Sequence, residues 1–380
     1  MSIEKTKAPR PRAALIVLLG AALAVPVAQA GVPMFEHKPA YDHYVHQTPE
    51  NAVIGNFPAQ KAAILTVKSS ETVRIDGGGG NRWGDEDPET WIKAQGLKLD
   101  PQQRRAIAEI ARVVKETPRQ PGIPSGHLLV GPIAVEGAMP GDTLEVQIIS
   151  VEPRIPYGVV SMRPGRGGIP DEVPEPYAKV VPLDLKRRVG LFEPGIEVPL
   201  GPFNGVMGVL PAASEGDNRR SGPPGLFGGN LDCKELVSGT KLFLPVFRPG
   251  AMFFTGDSHA AQGDGEVTVT AIETANTAVL RFVLHKGMKL SAPRAETPKH
   301  WITFGLDPDL DKAMQMAIRE TNTFLEQQQG LDFNRAFALS SIGVDFHVTQ
   351  VVDDVKGVHA MIPKSLFNAA APAFARSGRP

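Results

Sequence analysis

Six runs in this chain, AAILTVKSSETVRID, HLLVGPIAVEG, DTLEVQIISVEPR, TKLFLPVF, EVTVTAIET and AVLRFVLHK, are short and rich in Val, Ile, Leu or Thr. Gly, Pro or Asp closes each of them. β-branched and aliphatic residues suit a pleated, half-buried surface, and such boundaries are turn chemistry, so the runs read as strands. The 39 glycines and 35 prolines are spread between them and supply the turns. Many short strands with turn signals predict a mainly β fold, a sandwich or barrel.

Helices interrupt the pattern. Asp100-Pro101 offers an N-cap and a proline at the first helical position, followed by Ile107, Ile110, Ala111 and Val114 at helical spacing. Residues 309–328 predict a longer amphipathic helix ended by Gly330, with Leu310, Ala313, Met314, Ala317 and Leu325 on its core face. Residues 334–343 predict a third, shorter helix. The fold class is therefore mainly β with added helices, α+β.

The start of the chain has its own logic. Lys5, Lys7, Arg10 and Arg12 stand against Glu4, a local charge of +3 that the formal net charge of −1 hides. Thirteen apolar or small residues follow, Ala13 to Val25, then PVAQA with Ala28 and Ala30 at small-residue positions. This is the plan of a secretory signal peptide cut after Ala30. Thirteen residues span a bilayer poorly where about 20 are needed, so no membrane anchor is expected after cleavage. Pro11 splits the arginine pair, which does not support a twin-arginine signal. The expected organisation is a signal peptide over 1–30, a polar N-terminal arm over 31–60 with His37, His43 and His46, and one domain over 61–380. Its location is predicted to be periplasmic or secreted. No basic stripe with interleaved aromatics follows, so nucleic acid is not an expected partner. Cys233 is the single cysteine, so no internal disulfide can form and cysteine-built metal clusters are excluded within one chain.

The stretch FTGDSHAAQGDGE, residues 254–266, concentrates chemistry on what reads as a flexible glycine loop leading into a rigid strand, VTVTAIE. Asp257 and His259 are two apart and share a side in extended chain, and Asp264 and Glu266 repeat that offset. A neutral imidazole among carboxylates suits zinc, manganese or, with more oxygens, calcium. Close carboxylates repel unless a cation or protons lie between them. Two further segments carry acids: GGNLDCKEL, with Asn230 and Asp232, and SGHLLVGPIAVEGAMPGD, with His127 and Glu136 at opposite ends of a strand. The pair Asp353-Asp354 reads as solvated turn residues, and no role is assigned to His347 or His359. There is no GxSxG elbow, P-loop, HExxH or dinucleotide fingerprint.

SGH…GPIAVEGAMPGDTLEV, GGNLDCKEL, TGDSHAAQGDGEVTVTAIET, ETPKHWITFG with DLDKAM, and SIGVDFHVTQVVDDVKGVHAMIPKSLF together resemble the acetamidase/formamidase family, in the family's order, over about residues 60 to 367. The resemblance implies a jelly-roll-like β sandwich with smaller α/β elements and a homo-oligomer. It also implies hydrolysis of small linear amides to a carboxylate and ammonia. Asp232, Asp257, His259 and Glu266 fall on the family's acidic and histidine positions. His127, Glu136, Gln262 and Asp264 lie in matching motifs. The expected assignment is a divalent metal, zinc favoured and calcium possible, on Asp232, Asp257 and His259. Glu136 or Glu266 would then shuttle protons, and His127 would act beside them. Two alternatives stand beside it: a non-catalytic periplasmic small-amide-binding protein with a structural metal, and a hydrolase of a ureido or cyclic amide.

Overall fold

The computed structural model describes residues 39–79, 86–123 and 125–367. The expected signal peptide over 1–30 lies outside them. Mainly β structure is what these residues form, in several sheets, with four α-helices among the described residues: Pro88–Ala94, Pro101–Glu116, Leu310–Gln329 and Phe333–Gly343. The second helix starts on a reciprocal capping box between Asp100 and Gln103, which satisfies two backbone donors at its exposed end. The third runs from an Asp309 cap to Gly330, whose φ of 64° makes the left-handed stop. Its small Ala313 and Ala317 press onto Gly305 of the strand His300–Asp307, and a methyl group on Gly305 would sit 2.0 Å from the Ala313 carbonyl oxygen.

Two large sheets carry the architecture. A nine-stranded sheet has the long strands Thr143–Pro153 and Ala275–His285 near its middle, paired antiparallel, and Asp345–Gln350 at one edge beside Lys356–Pro363. A six-stranded sheet holds, in neighbouring order, Gly228–Asn230, Phe203–Gly208, Phe253–His259, Leu128–Val135 and Ala52–Ile54. Val206, Leu129, Val130 and Phe253 of this sheet pack with Val146, Ile148, Leu280 and Phe282 of the other in one apolar cluster. Burying a side chain of that size stabilises by about 1.5–3 kcal/mol relative to leaving it exposed. That shared core is what fixes the inner strands.

Two expectations are corrected. The first half of the stretch read as a flexible loop is strand, since Phe253–His259 lies between Phe203–Gly208 and Leu128–Val135, with Phe253 and Phe254 fully buried. The stretch read as a rigid strand, 266–273, is irregular. Glu266 and Val269 take φ values of 43° and 73°, which extended chain does not tolerate. Thr270 Oγ1 donates instead to the Ser161 carbonyl, and Thr268 Oγ1 to the Thr270 carbonyl. The alternation of apolar and hydroxyl residues is real, but these threonine hydroxyls bond backbone carbonyls, one two residues away and one on the distant strand Tyr157–Met162. Of the polar N-terminal arm, His37 lies outside the described residues, and the part from residue 39 on forms strands. His43–Val45 pairs with Thr72–Gly78, Ala52–Ile54 with Leu128–Val135, and Asn56–Pro58 with Asn218–Arg220. Val53 and Phe57 are the buried anchors that a reading by polarity overlooked.

Candidate active site

Three neighbouring strands of the six-stranded sheet deliver the site. Phe253–His259 carries Asp257 and His259, the end of Gly228–Asn230 leads into Asp232, and Phe203–Gly208 runs between them with Gly205 facing both. Asp257 Oδ2 lies 3.2 Å from His259 Nε2, and Glu273 Oε1 lies 3.3 Å from the same nitrogen. Asp232, His259 and Glu266 each offer a ligand-type atom within 4.8 Å of the others, and so do Asp257, His259 and Glu273. His259 is therefore common to both sets. Phe203 meets its ring edge-on at 4.9 Å, and Asn276 Nδ2 donates to its carbonyl oxygen at 3.1 Å.

Gly205 is why these groups can converge. A Cβ there would meet Asp232 Oδ1 at 2.3 Å, Asp257 Oδ2 at 2.6 Å and His259 Cε1 at 2.9 Å. Asp232, Asp257 and Glu266 themselves sit at φ 49°, 55° and 43°. Non-glycine residues in this left-handed region cost roughly 1–3 kcal/mol each and persist only where surrounding structure holds them. Three of them aimed at one point mark a site to which the fold yields local stability.

The electrostatics are one-sided. Asp232 is driven well above the ordinary carboxylate range by burial and by the neighbouring Glu266, Asp353 and Asp257. Glu266 is raised too, by burial first and then by Asp353, Glu273 and Asp257. Asp353 is pushed to about 6, chiefly by burial. Burial opposes the charge on Asp257, but His127 and His259 hold its carboxyl low. Burial would pull His259 down, yet Glu273 and Asp257 raise it well above the usual imidazole range. The split has one source: the acids crowd around a single buried imidazole, so Asp257 beside His127 and His259 stays ionised while Asp232, Glu266 and Asp353 are pushed up. Both carboxylate oxygens of Asp232 and Nδ1 of His259 are buried without a hydrogen-bond partner, while His259 Nε2 has only the ion-pair contacts to Asp257 and Glu273. Uncompensated polar atoms at that depth are costly, and a cation would satisfy them together. Carboxylate oxygens with an imidazole are a donor set that suits a divalent metal, and Asp232 with His259 and Glu266, or Asp257 with His259 and Glu273, are the two groups here that could hold one.

This cluster opens into a cavity of about 760 Å³ lined by His127, Asn230, Asp257, Glu266, Glu273 and Asp353, with the exposed Arg163, Arg166 and Arg220 also on its wall. His127 stands at the mouth of the cluster with Nε2 3.9 Å from Asp257 Oδ2. Gln262 donates to the Asp232 carbonyl at 2.7 Å and so fixes the turn carrying that acid.

Of the residues expected from sequence, Asp232, Asp257, His259, Glu266 and His127 are brought together. Glu136 is not. It is exposed on the turn after Leu128–Val135, at the opposite end of that strand from His127. At about 3.3 Å per residue, the nine steps from His127 to Glu136 along this strand span roughly 30 Å, so Glu136 is removed from the proton-shuttle assignment. Asp264 is also elsewhere, bonded to Lys234 and His347. Glu273 and Asp353 went unassigned. Glu273 was hidden inside an apparent strand, and Asp353, read as solvated, is 9% exposed and accepts from Asn230 Nδ2 at 3.0 Å. Gly205 carries no local signal in sequence at all.

Comparison with known proteins gives the family and the fold. A profile described as Acetamidase/Formamidase family matches residues 114–221 and 213–369. An acetamidase of Mycolicibacterium smegmatis is 27% identical over 220 residues, covering 42% of this chain and 54% of that protein. A formamidase of Methylophilus methylotrophus is 30% identical over 202 residues, covering 39% of this chain and 49% of its own. The chain thus spans about half the length of the curated relatives it matches. The crystal structure of an acetamidase from Bacillus halodurans superposes with a TM-score of 0.69 at 27% identity, covering 85% of this chain and 98% of that one. A gamma lactamase from Delftia acidovorans shares the fold, with a TM-score of 0.53 at 19% identity over 88% of this chain and 97% of its own.

Proposed function

Because this chain belongs to the acetamidase/formamidase family, we propose that it is a metal-dependent amidase that hydrolyses small linear amides to a carboxylate and ammonia. The observation that carries the reading is the convergence of buried Asp232 and His259 with Glu266, which itself lines the cavity. Asp232, Asp257 and His259 would hold a divalent cation, zinc being favoured, and when bound it would supply Lewis acidity towards an amide carbonyl or a water. The chain's own groups do the rest. Glu266, ionised once a cation offsets the neighbouring acids, accepts a proton from the attacking water and delivers it to the amide nitrogen, so that ammonia rather than an amide anion leaves. His127 at the mouth orients the substrate, and Glu273 holds the His259 ring by its 3.3 Å contact.

Export and self-association belong to the same proposal. The basic start and the apolar run to Val25 support the first, and family resemblance supports the second. No helix among the described residues is long and apolar enough to cross a membrane.

The test is ammonia release from formamide, acetamide and longer amides by metal-replete and chelated protein. Turnover should depend on the metal, and Glu266→Gln should lower kcat about 10²–10⁴-fold, the usual worth of a positioned proton carrier. Glu136→Ala should leave turnover unchanged. A metal-replete protein that releases ammonia from none of these amides overturns the reading. The panel includes amides with an anionic end, because the cavity is larger than acetamide requires and three arginines line it.

Cys233 takes no part in this chemistry. It is fully buried in the main apolar core, and burial pushes its thiol well up, so no thiolate is available near neutrality. Cys233→Ala should keep near-normal kcat/KM in the same assay and lose only stability, about 1 kcal/mol for the small cavity left behind.

A further inference from the structure

Two residues before Glu266, Asp264 meets a pair of histidines from the hairpin Asp345–Gln350 and Lys356–Pro363. His347 and His359 stand directly opposite each other in that antiparallel pair, on the same face, with rings 5.1 Å apart and 13° from parallel. His347 Nδ1 is 3.1 Å from Asp264 Oδ2. His359 is fully buried, its Nδ1 is bonded to Thr349 Oγ1 at 2.8 Å, and its Nε2 has no partner. One ligand-type atom from each of the three residues lies within 4.8 Å of the other two. Lys234 Nζ also donates to Asp264 Oδ2, at 2.8 Å, and balances that carboxylate's charge.

We propose that Asp264, His347 and His359 form a second divalent-metal site, separate from the hydrolytic centre and suited to zinc. Two imidazoles and one carboxylate are a borderline donor set, which favours zinc over magnesium or calcium. The bond from Thr349 to Nδ1 fixes the His359 ring and leaves Nε2 to bind, which is how ligating histidines are commonly held from behind. A cross-strand pair needs little rearrangement, because the sheet register already places both rings side by side. Lys234 occupies one carboxylate oxygen only, and an incoming ion takes over its counter-charge role.

The position suggests what such an ion does. Gly265 N donates to the Thr349 carbonyl at 3.0 Å, and Val351 N donates back to the Gly265 carbonyl at 3.1 Å. The segment that carries Glu266 is thus already tied to the segment that carries Asp353, two backbone bonds from the hydrolytic centre. An ion on Asp264, His347 and His359 cross-links the same two segments through side chains. Its role is to hold the proton carrier in place rather than to meet substrate.

The experiment counts metal. The full chain is stripped with a chelator, re-equilibrated with zinc and measured by elemental analysis and by competition with a chromophoric chelator. Two zinc ions per wild-type chain are expected, with one in His347→Ala, one in Asp264→Asn, one in Asp232→Asn, and none in Asp232→Asn/His347→Ala. His347 and Asp264 are part-exposed, and circular dichroism checks that their variants fold. Cobalt gives an independent readout: Asp232→Asn should show a visible absorption band that His347→Ala then removes. The proposal is overturned if His347→Ala and Asp264→Asn each bind as much zinc as the wild type. If the wild type binds one ion that His347→Ala abolishes and Asp232→Asn does not, the second site stands and the hydrolytic centre loses its metal.

Discussion

Asp232→Asn should abolish amide turnover and yet make the metal-free protein more stable. Asn keeps the shape and one oxygen but removes the charge and weakens any metal bond. Activity should fall by more than the 10²–10⁴-fold expected for loss of a proton carrier alone, because the metal and the water it acidifies go together. Stability should move the other way. In the metal-free chain Asp232 is buried with Glu266, Asp353 and Asp257 around it, and its ionised form is disfavoured by both burial and repulsion. A carboxylate whose folded pKa is raised binds its proton more tightly in the folded state, so its contribution is lost as pH rises from the unfolded value near 4. The advantage of Asp232→Asn over the metal-free wild type should therefore be small at pH 4 and grow towards pH 7. Urea denaturation of both chains at several pH values, with chelator present, reads this directly. Adding zinc should reverse the order, since only the wild type gains binding energy. A variant that is less stable than the metal-free wild type at pH 7 would mean the carboxylate is structural, and the clustered-charge account would be wrong.

Gly205→Ala should be the most damaging single-methyl change in the site. The glycine lies in the strand Phe203–Gly208 and its φ is not positive, so alanine is tolerated conformationally. The methyl carbon, however, falls 2.3 Å from Asp232 Oδ1 and 2.6 Å from Asp257 Oδ2, well inside contact distance. The strand is locked between two neighbours, so the acids must retreat by about an ångström. Misplacement on that scale costs about 10²-fold in rate even far from the chemistry, and here it strikes the ligands themselves. The expected result is a folded chain with an intact circular dichroism spectrum, at least a 10²-fold loss of kcat/KM, and weakened metal binding. If Gly205→Ala keeps wild-type turnover, Asp232 and Asp257 are not the working ligands.

Much of the candidate site was legible in sequence because the relevant signals are local. Asp257 and His259 share a strand face by the two-residue period, and the Asp-Gly-Glu turn announces Glu266. Glu136 failed for the opposite reason. His127 and Glu136 sit in one quoted segment, but a strand is straight, and its two ends cannot visit one site. Asp353 failed because adjacency to Asp354 suggested a solvated turn, whereas Asn230 on a distant strand draws it into the cavity. The assignment of loop and strand around residue 260 came out exchanged, because glycine and aspartate were taken as turn formers while Phe253 and Phe254 were the anchors.

What the chain determines by itself is whatever depends on neighbours in sequence: the strand-rich class, the helix caps at Asp100, Asp309 and Gly330, and the presence of a carboxylate and imidazole set. What tertiary structure decided is which of those groups meet. Gly205, Glu273 and Asp353 acquire their roles only when separate strands and turns converge, because electrostatic repulsion and steric clearance act through space, and neither leaves a trace in local spacing.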